Sequence, residues 1–300
     1  MALPNPTEWA TPVFIVLILM EIIYSRATRK TRYEPSDTLT SLIMGVGSTI
    51  SAGLLAFITL GAYYFAWDHR IFSFEPVWWL FILAFILDDL AYYVFHRAAH
   101  RVRWFWASHV IHHSSQHYNL STALRQTWTT PFSAGFIFRL PILFFGIPPE
   151  VLLFVVGINL VYQFWIHTEA IDRMGVFEWI MNTPSHHRVH HATNPRYLDA
   201  NYAGVFIIWD RMFGTFVEER RDEPPHYGIV QNLGTFNPLR VAFHEWIALF
   251  KDLGKSRSAG EIFGYLLRQP GWTPDGSRLT TDMIKAAWHQ EQDPGEMPSG

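Results

Sequence analysis

Long apolar runs separated by short polar loops dominate the first half of the chain. Residues 38–67 include no charged side chain, and these thirty residues exceed the roughly 20 that a helix needs to span a bilayer. A shorter apolar run, residues 11–24, is interrupted only by Glu21, and a third run covers residues 77–95. This pattern is typical of helices that cross a membrane.

Two further apolar runs, residues 131–146 and 151–166, flank the sequence "IPPE", which predicts a tight hairpin. Arg139 lies in the first run, so that run is a candidate for a re-entrant segment. The pattern predicts an all-α, polytopic membrane protein with four to five hydrophobic helical segments and a cytosolic, histidine-rich helical cap. We expect membrane helices in residues 1–82, a catalytic domain in 83–218 and a polar cytosolic extension in 219–300.

Basic residues in the loops predict the orientation. The loop "SRATRKTRYE" after the first run is strongly basic and should be cytosolic, whereas "DHRIFSFEP" after the second has no basic excess and should lie outside. The third run then ends on the cytosolic side at "HRAAHRVRWFW", and the hairpin returns to that side. We therefore expect the cap on the cytosolic face of a bacterial inner membrane, or of the endoplasmic reticulum in a eukaryote.

Composition supports the membrane assignment and excludes several functions. Charged residues make up 16% of the 300 residues, against about 25% in an ordinary soluble domain. The net charge of −3 and the absence of a long basic stripe argue against a nucleic-acid partner. The chain has no cysteine, which excludes disulfides, iron–sulfur clusters and thiolate-bound haem or zinc.

Histidines are concentrated in the middle of the chain. Eleven of the fifteen lie between His96 and His191. They follow the spacings H-x3-H, H-x2-HH and again H-x2-HH, with His167 alone between the last two groups. Residues three or four apart share a helix face, so each group directs two or three imidazoles toward a common point.

The number of imidazoles predicts two metal ions. One ion accepts at most about six ligands, and a catalytic ion leaves some positions open. Eight or nine imidazoles therefore indicate two ions with about four ligands each. Imidazole alone leaves zinc, iron, copper and nickel open, including a structural zinc pair. A carboxylate-rich di-iron bundle is excluded, because the only Glu-x-x-His, Glu223–His226, contains two prolines.

These spacings resemble those of the fatty acid hydroxylase and sterol desaturase superfamily. Longer strings are similar to one branch, the alkylglycerol monooxygenases: "HHSSQHYNLSTALRQ", "QFWIHTE", "NTPSHHRVHHATNP", "IIWDRMFGTF" and "QPGWTPDG". The resemblance covers about residues 88–276 and is densest between His96 and Phe216.

The resemblance implies a non-haem di-iron oxygenase that acts on a lipid chain. The hydroxylated substrate would be an alkylglycerol ether, a fatty acyl chain or a sterol-like molecule, and a desaturase on the same core is the alternative. Two iron ions would need an external reductant, either a pterin or a separate electron-transfer protein. By position, the implied metal ligands are His96, His100, His109, His112, His113, His167, His187, His190 and His191.

Polar residues near these histidines are candidates for orienting them. Asp89 lies seven residues before His96, about two turns along the same helix face, and is predicted to pair with a histidine; Asp88 is less well aimed. His117 matches no family position, and His186 is turned about 100° from His187; we assign neither as a ligand. After the last group come four polar residues that serve either the site or a solvated turn: Asp199, Asn201, Asp210 and Arg211.

Two other classes of function stay open at this point. A zinc-dependent membrane hydrolase would need a general-base carboxylate beside the ligands, and none is obvious. A metal transporter or sensor should carry its histidines at the middle of the spans, whereas these histidines flank them.

Overall fold

The protein is a helical assembly without named strands in residues 3–292, which the computed structural model describes. Short loops and three 3-10 turns connect the helices. The α-helices are α1 (Pro6–Thr28), α2 (Pro35–Leu54), α3 (Ala56–Asp68), α4 (Trp78–Arg101), α5 (Arg103–His113), α6 (Thr130–Ser133), α7 (Leu140–Phe145), α8 (Pro149–Trp165), α9 (Pro184–His190), α10 (Ile208–Phe213), α11 (Pro238–Leu253), α12 (Ala259–Leu267) and α13 (Thr281–Gln292). The predicted all-α class is confirmed for these residues.

Two of the described helices, α1 and α4, are long and apolar enough to cross a membrane. The predicted run at residues 38–67 is divided into α2 and α3, which meet at a 54° bend and together have the length and apolarity of a third span. Large apolar side chains such as Val16, Leu19 and Ile23 on α1 are exposed. Exposed apolar surface of this kind on a long helix fits contact with lipid.

The predicted hairpin has a different form. Residues 131–146 are not one helix but α6, the 3-10 turn Gly135–Arg139 and α7. The break follows from Ala134, whose φ of 60° is incompatible with a continuing α-helix. The second arm, α8, has 17 residues, fewer than the roughly 20 that span a bilayer. The hairpin therefore consists of a broken arm and a short helix, which pack against α3 and α4.

An apolar cluster between α3, α4, α7 and α8 supports the long helix α4. Tyr63, Leu80, Ala84, Leu143 and Val151 are buried there. The cluster surrounds the first half of α4 and leaves its last two turns, which carry His96 and His100, free to face other elements. Apolar packing thus determines where the amino-terminal half of α4 lies, and polar contacts surround its carboxyl end.

A buried ion pair joins α4 to the interrupted arm. The Arg139 Nε donates to Asp88 Oδ1 at 2.6 Å, and Asp88 is fully buried. Asn159 of α8 donates a second hydrogen bond to Asp88 at 3.3 Å. An unpaired charge in such surroundings is costly, so these contacts account for both charged residues within apolar runs.

The two ends of the assembly are distinct. At one end, the Ile71 N–H donates to the Phe144 carbonyl at 2.7 Å, which joins the loop after α3 to the end of α7. At the other end, Glu21 of α1 accepts hydrogen bonds from the Tyr33 and Thr168 hydroxyls and from the Leu120 N–H. Glu21 therefore binds together three loops near the histidines.

This arrangement predicts that the loop after α1 and the loop after α3 lie on opposite sides of the membrane. A glycosylation or cysteine-labelling reporter inserted after Arg32 and one inserted within residues 69–75 should give opposite accessibility. The measurement is labelling by a membrane-impermeant reagent in intact and permeabilised cells. Equal accessibility of the two positions would contradict the arrangement.

The Asp88–Arg139 pair yields a second prediction. Arg139→Met leaves Asp88 buried without its cation and should destabilise the protein by about 3–5 kcal/mol, measured as a lower melting temperature in detergent. The double variant Asp88→Asn/Arg139→Met removes both charges and should recover part of that loss. A double variant less stable than Arg139→Met would show that the pair is not the source of the effect.

Candidate metal centre

Nine histidines converge on two adjacent points at the carboxyl end of α4. The five-histidine group consists of His96, His100, His109, His113 and His190. The four-histidine group consists of His112, His167, His187 and His191. Within each group, one nitrogen of every ring lies within 4.8 Å of the others. These are the nine histidines that the sequence singled out, and no other histidine, aspartate or glutamate among residues 3–292 enters either group.

Helical spacing explains how so few elements supply nine rings. His96 and His100 lie one turn apart on α4, and His109 and His113 lie one turn apart on α5, so each pair shares a face. His112, which directly precedes His113 on α5 and so lies on a different face of the helix, points to the four-histidine group. The carboxyl end of α9 is also divided, since His187 and His191 face the four-histidine group and His190 the five-histidine group.

The two groups are interleaved rather than separate. The rings of His113 and His191, one from each group, stack with centroids 4.4 Å apart. Because α5 and the end of α9 both contribute to both groups, neither helix can shift without disturbing the two groups together.

Ring nitrogens within each group approach one another closely. In the five-histidine group the Nε2 atoms of His96 and His109 lie 2.9 Å apart, and those of His109 and His113 lie 3.1 Å apart. In the four-histidine group the Nε2 atoms of His167 and His187 lie 3.0 Å apart. Each neutral imidazole has one protonated nitrogen and one lone pair, so the tautomers decide whether such contacts can be hydrogen bonds.

Backbone carbonyls determine three of those tautomers. The Nδ1–H of His96 donates to the Tyr202 carbonyl at 2.7 Å, and that of His190 donates to the Ala200 carbonyl at 2.9 Å. The Nδ1–H of His167 donates to the Gln163 carbonyl at 2.7 Å. A carbonyl cannot donate, so Nδ1 carries the proton in all three rings. Their Nε2 lone pairs therefore point into the groups, as in metal-binding histidines.

Burial favours the neutral form of His112, His113 and His187. Desolvation, with smaller contributions from neighbouring histidines, lowers the pKa of His113 and His187 well below the usual value, and desolvation lowers that of His112 to about 4. Neutral imidazole is the form that binds metals. The Nε2 atoms of His100 and His190 are buried and have no hydrogen-bond partner among the described residues. Converging lone pairs without donors fit bound cations.

The donor set limits which metal fits. Both groups contain imidazole and no carboxylate, which suits zinc, iron, copper and nickel and disfavours the oxygen-seeking magnesium and calcium ions. Five and four nitrogen ligands can hold one ion each. The residues present therefore fit a two-metal site.

Asp89 has a different role from the predicted one. Its carboxylate accepts hydrogen bonds from the Val205 N–H at 2.8 Å, the Phe206 N–H at 2.9 Å and the Trp209 Nε1–H at 2.9 Å, with Asn159 as a fourth donor. The predicted pairing with a histidine is wrong. Seven residues amount to about 10 Å along a helix, so Asp89 meets the segment that crosses α4 rather than the rings beyond it.

His117 and His186, which the sequence analysis did not assign as ligands, lie outside both groups. His117 presents its carbonyl to the hydroxyls of Ser115 and Thr122. The ring of His186 packs edge-on against Phe216 with centroids 5.3 Å apart. Neither ring directs a nitrogen at the converging lone pairs.

Other contacts to the site were not assigned from sequence. Asp199 places its Oδ1 3.5 Å from His100 Nδ1; the sequence marked Asp199 only as one of several polar residues after the last histidine group. The side chains of Ala200, Tyr202 and Gln163 do not indicate that the backbone carbonyls of these residues bind histidines. Only the folded backbone identifies them.

Substitution at His100, His113 and His117 tests the assignment. His100→Ala and His113→Ala each remove a converging nitrogen and should lower the metal content of purified protein. His117→Ala should leave the metal content unchanged. At most it removes a contact outside the ligand set, and such a loss typically lowers the metal affinity about 10–100-fold. Metal per chain is measured by mass spectrometry at matched expression and monodispersity. Loss of metal in His117→Ala together with full metal in His100→Ala would overturn the assignment.

Comparison with known proteins bears on the whole of this region. Residues 81–215, which include all nine histidines, match the family model "Fatty acid hydroxylase". The chain is 43% identical over 280 residues to alkylglycerol monooxygenase of Danio rerio and 42% identical over 281 residues to that of Homo sapiens. Each alignment covers 92% of this chain and 62% of the relative.

More distant relatives match a shorter region. Ornithine lipid hydroxylase of Rhizobium tropici is 26% identical over 155 residues, which cover 51% of this chain and 46% of the relative. No solved structure matches the chain. The chain spans about three fifths of the length of the alkylglycerol monooxygenases that it matches. The resemblance predicted from the histidine spacings is confirmed: residues 81–215 match the fatty acid hydroxylase family model, and most of the chain is similar to alkylglycerol monooxygenases.

Proposed function

We propose that the chain is a membrane-bound oxygenase that holds two iron ions and hydroxylates an alkyl C–H bond of a lipid with dioxygen. The observation that carries this proposal is the pair of interleaved, all-imidazole groups at the end of apolar helices. The family match and the names of the relatives, which act on alkylglycerols and an ornithine lipid, support the choice of substrate class.

The chemistry of the substrate explains why a redox metal is needed. An alkyl C–H bond has no leaving group, so proton transfer by side chains alone cannot cleave it. Two bound iron ions would supply the reduction of dioxygen and the oxidation of that bond. Among the candidate substrates, an alkylglycerol ether fits the relatives best. Hydroxylation next to the ether oxygen gives a hemiacetal, which collapses to an aldehyde and a free glycerol hydroxyl.

The side chains of this protein would bind the metal ions, orient the ligand rings and shield the site from water. Burial favours the neutral form of rings such as His113 and His187, and three of the rings are oriented through their Nδ1–H groups by backbone carbonyls. Burial of the groups also limits the access of water. A supply of electrons from outside is part of the proposal, because the cysteine-free chain cannot hold an iron–sulfur cluster. A pterin or an electron-transfer protein would be that donor.

A zinc-dependent hydrolase is less consistent with the site. Such an enzyme would need a carboxylate free to act as a general base beside an open metal position. Asp199 contacts His100, but Arg101 also binds its carboxylate, with Nη1 and Oδ2 3.2 Å apart. A transporter is also less consistent, because only His96 and His100 lie on a candidate span, in its last two turns.

We assign the metal groups to the cytosolic face. The basic loop after α1 lies at the same end as the histidines, since Asn119 donates to the Arg32 carbonyl at 2.8 Å. Positively charged loops tend to stay in the cytosol. The compartment would be a bacterial inner membrane, or the endoplasmic reticulum in a eukaryote.

The proposal predicts iron- and oxygen-dependent turnover. Protein purified in detergent without chelator should hold two metal ions per chain, and iron-loaded protein with a reduced pterin should convert an alkylglycerol into an aldehyde. The assay measures oxygen consumption and aldehyde together, with His100→Ala as the inactive control. A fatty alcohol ester and a sterol, tested in parallel, identify the substrate class. Equal turnover in the absence of oxygen, or full activity with zinc in place of iron, would contradict the proposal.

A further inference from the structure

Residues 199–206, between α9 and α10, touch three of the five rings in the five-histidine group. The carbonyls of Tyr202 and Ala200 receive the Nδ1–H groups of His96 and His190. The Asp199 carboxylate lies 3.5 Å from the Nδ1 of His100. This 199–206 segment therefore acts as one template for rings that come from two different helices.

The four-histidine group does not use this template. Its His167 donates to the Gln163 carbonyl, which belongs to the preceding helix α8. The orientation of that ring is therefore set locally along the chain. An alteration confined to the 199–206 segment should affect one group before the other.

Two left-handed residues and one close approach define the backbone of the segment. Asp199 and Asn201 have φ of 53° and 54°, in the left-handed region that asparagine and aspartate tolerate better than other non-glycine residues. At Gly204 the next neighbour is so close that an added Cβ would lie 2.8 Å from Asp89 Oδ1. Contacts from neighbouring elements hold the peptides that direct the two carbonyls toward the histidines.

The Ala200 carbonyl is held through the N–H of the same peptide, that of Asn201, which donates to the Thr215 carbonyl at 3.0 Å. Asp210 of α10 supplies the contacts nearest to the Tyr202 carbonyl. Its carboxylate is fully buried and accepts the N–H groups of Tyr202 and Ala203, both at 2.8 Å, and the Thr215 hydroxyl at 2.6 Å. A peptide unit is planar, so fixing the N–H of Tyr202 fixes the plane between Asn201 and Tyr202, and fixing that of Ala203 fixes the Tyr202 carbonyl itself.

Two further side chains hold the ends of the segment. The amide of Asn201 donates to the His186 and Val217 carbonyls, and its oxygen accepts the Val217 N–H. Asp89 accepts the N–H groups of Val205 and Phe206. Asp210 differs from both because its hydrogen bonds include the peptide whose carbonyl orients His96.

We propose that Asp210 is a positioning residue for the five-histidine group: it holds the Tyr202 carbonyl that orients His96, and so controls binding of one metal ion and not of the other. The inference rests on the proposed two-metal function. It assigns to Asp210 a selective effect that a general contribution to folding would not produce.

Asp210→Asn tests this role with little change in volume. An asparagine side chain at this position has one oxygen acceptor and one NH2 donor. It therefore cannot accept both backbone N–H groups in the way that the carboxylate does, and the Tyr202 carbonyl loses its fixed direction. Loss of such an outer partner typically weakens metal binding about 10–100-fold. The measurement titrates the full chain in detergent with zinc, at free zinc concentrations set by a chelator. The Asp210→Asn variant should bind one zinc ion tightly and a second one with its affinity lowered by that factor, whereas the unaltered chain should bind two zinc ions tightly.

Asp252→Asn is the matched control. Asp252 is similarly buried and accepts hydrogen bonds from Arg103 at 2.7 Å and from Arg278 at 2.6 and 2.9 Å, but it lies on α11 away from both groups. This variant should lower the melting temperature and keep two tight ions. A parallel His187→Ala variant identifies the ions, because Asp210→Asn/His187→Ala should hold no tight ion.

Thr215→Val decides the question if Asp210→Asn does not yield folded protein. This milder variant removes only a hydroxyl donor to Asp210 and a contact to Tyr93, and should weaken the same single ion. Two tight ions in the folded variant, or equal weakening of both, would overturn the role of Asp210. Fewer than two ions in the unaltered chain would instead reject the proposed two-metal function.

Discussion

The rest of the structure depends on nine imidazoles whose ring nitrogens converge on two small volumes. Such an arrangement is unfavourable in a protein without a cation between the rings, because nitrogens about 3 Å apart need a proton or a metal to share. Burial makes protonation costly, and this is why the pKa of His113 is well below its usual value. The fold therefore has to hold the rings against their own repulsion, and each element around them contributes to that task.

Buried charged residues contribute by binding loops to helices rather than by chemistry. Glu21 joins the loop after α1, the segment after α5 and the loop after α8; Asp89 holds the 199–206 segment against α4, and Asp88 with Arg139 holds the interrupted arm. Each would be expensive in an apolar run if it were unpaired. Their presence in the apolar runs is explained by the backbone and side-chain groups that they bind.

The family match and the geometry support each other at different levels. Similarity to alkylglycerol monooxygenases extends over most of the chain, whereas residues 81–215 alone match the family model. All the rings and the carbonyls that orient them lie within those residues. The C-terminal helices reach this region through Arg101, which binds both Asp199 and Asp282 of α13. The segments on either side thus act on the metal groups through contacts rather than by adding ligands.

The sequence by itself determined the apolar runs, the helical class, the resemblance to the fatty acid hydroxylase family and which nine histidines to expect close together. Those properties depend on local spacing, because residues three or four apart share a helix face whatever surrounds the helix. Pairing of Asp89 with a histidine, also inferred from spacing, failed because two turns of helix carry the side chain past a different partner.

Only the tertiary structure decided which histidine belongs to which group. His112 and His113 are neighbours in sequence but face different groups, since the direction of each ring depends on how α5 packs against α4 and on the position of α9. The break at Ala134 and the left-handed residues Asp199 and Asn201 depend in the same way on contacts between distant segments. Backbone carbonyls orient the rings, and every residue has the same carbonyl, so no side-chain pattern could reveal which ones the fold would use.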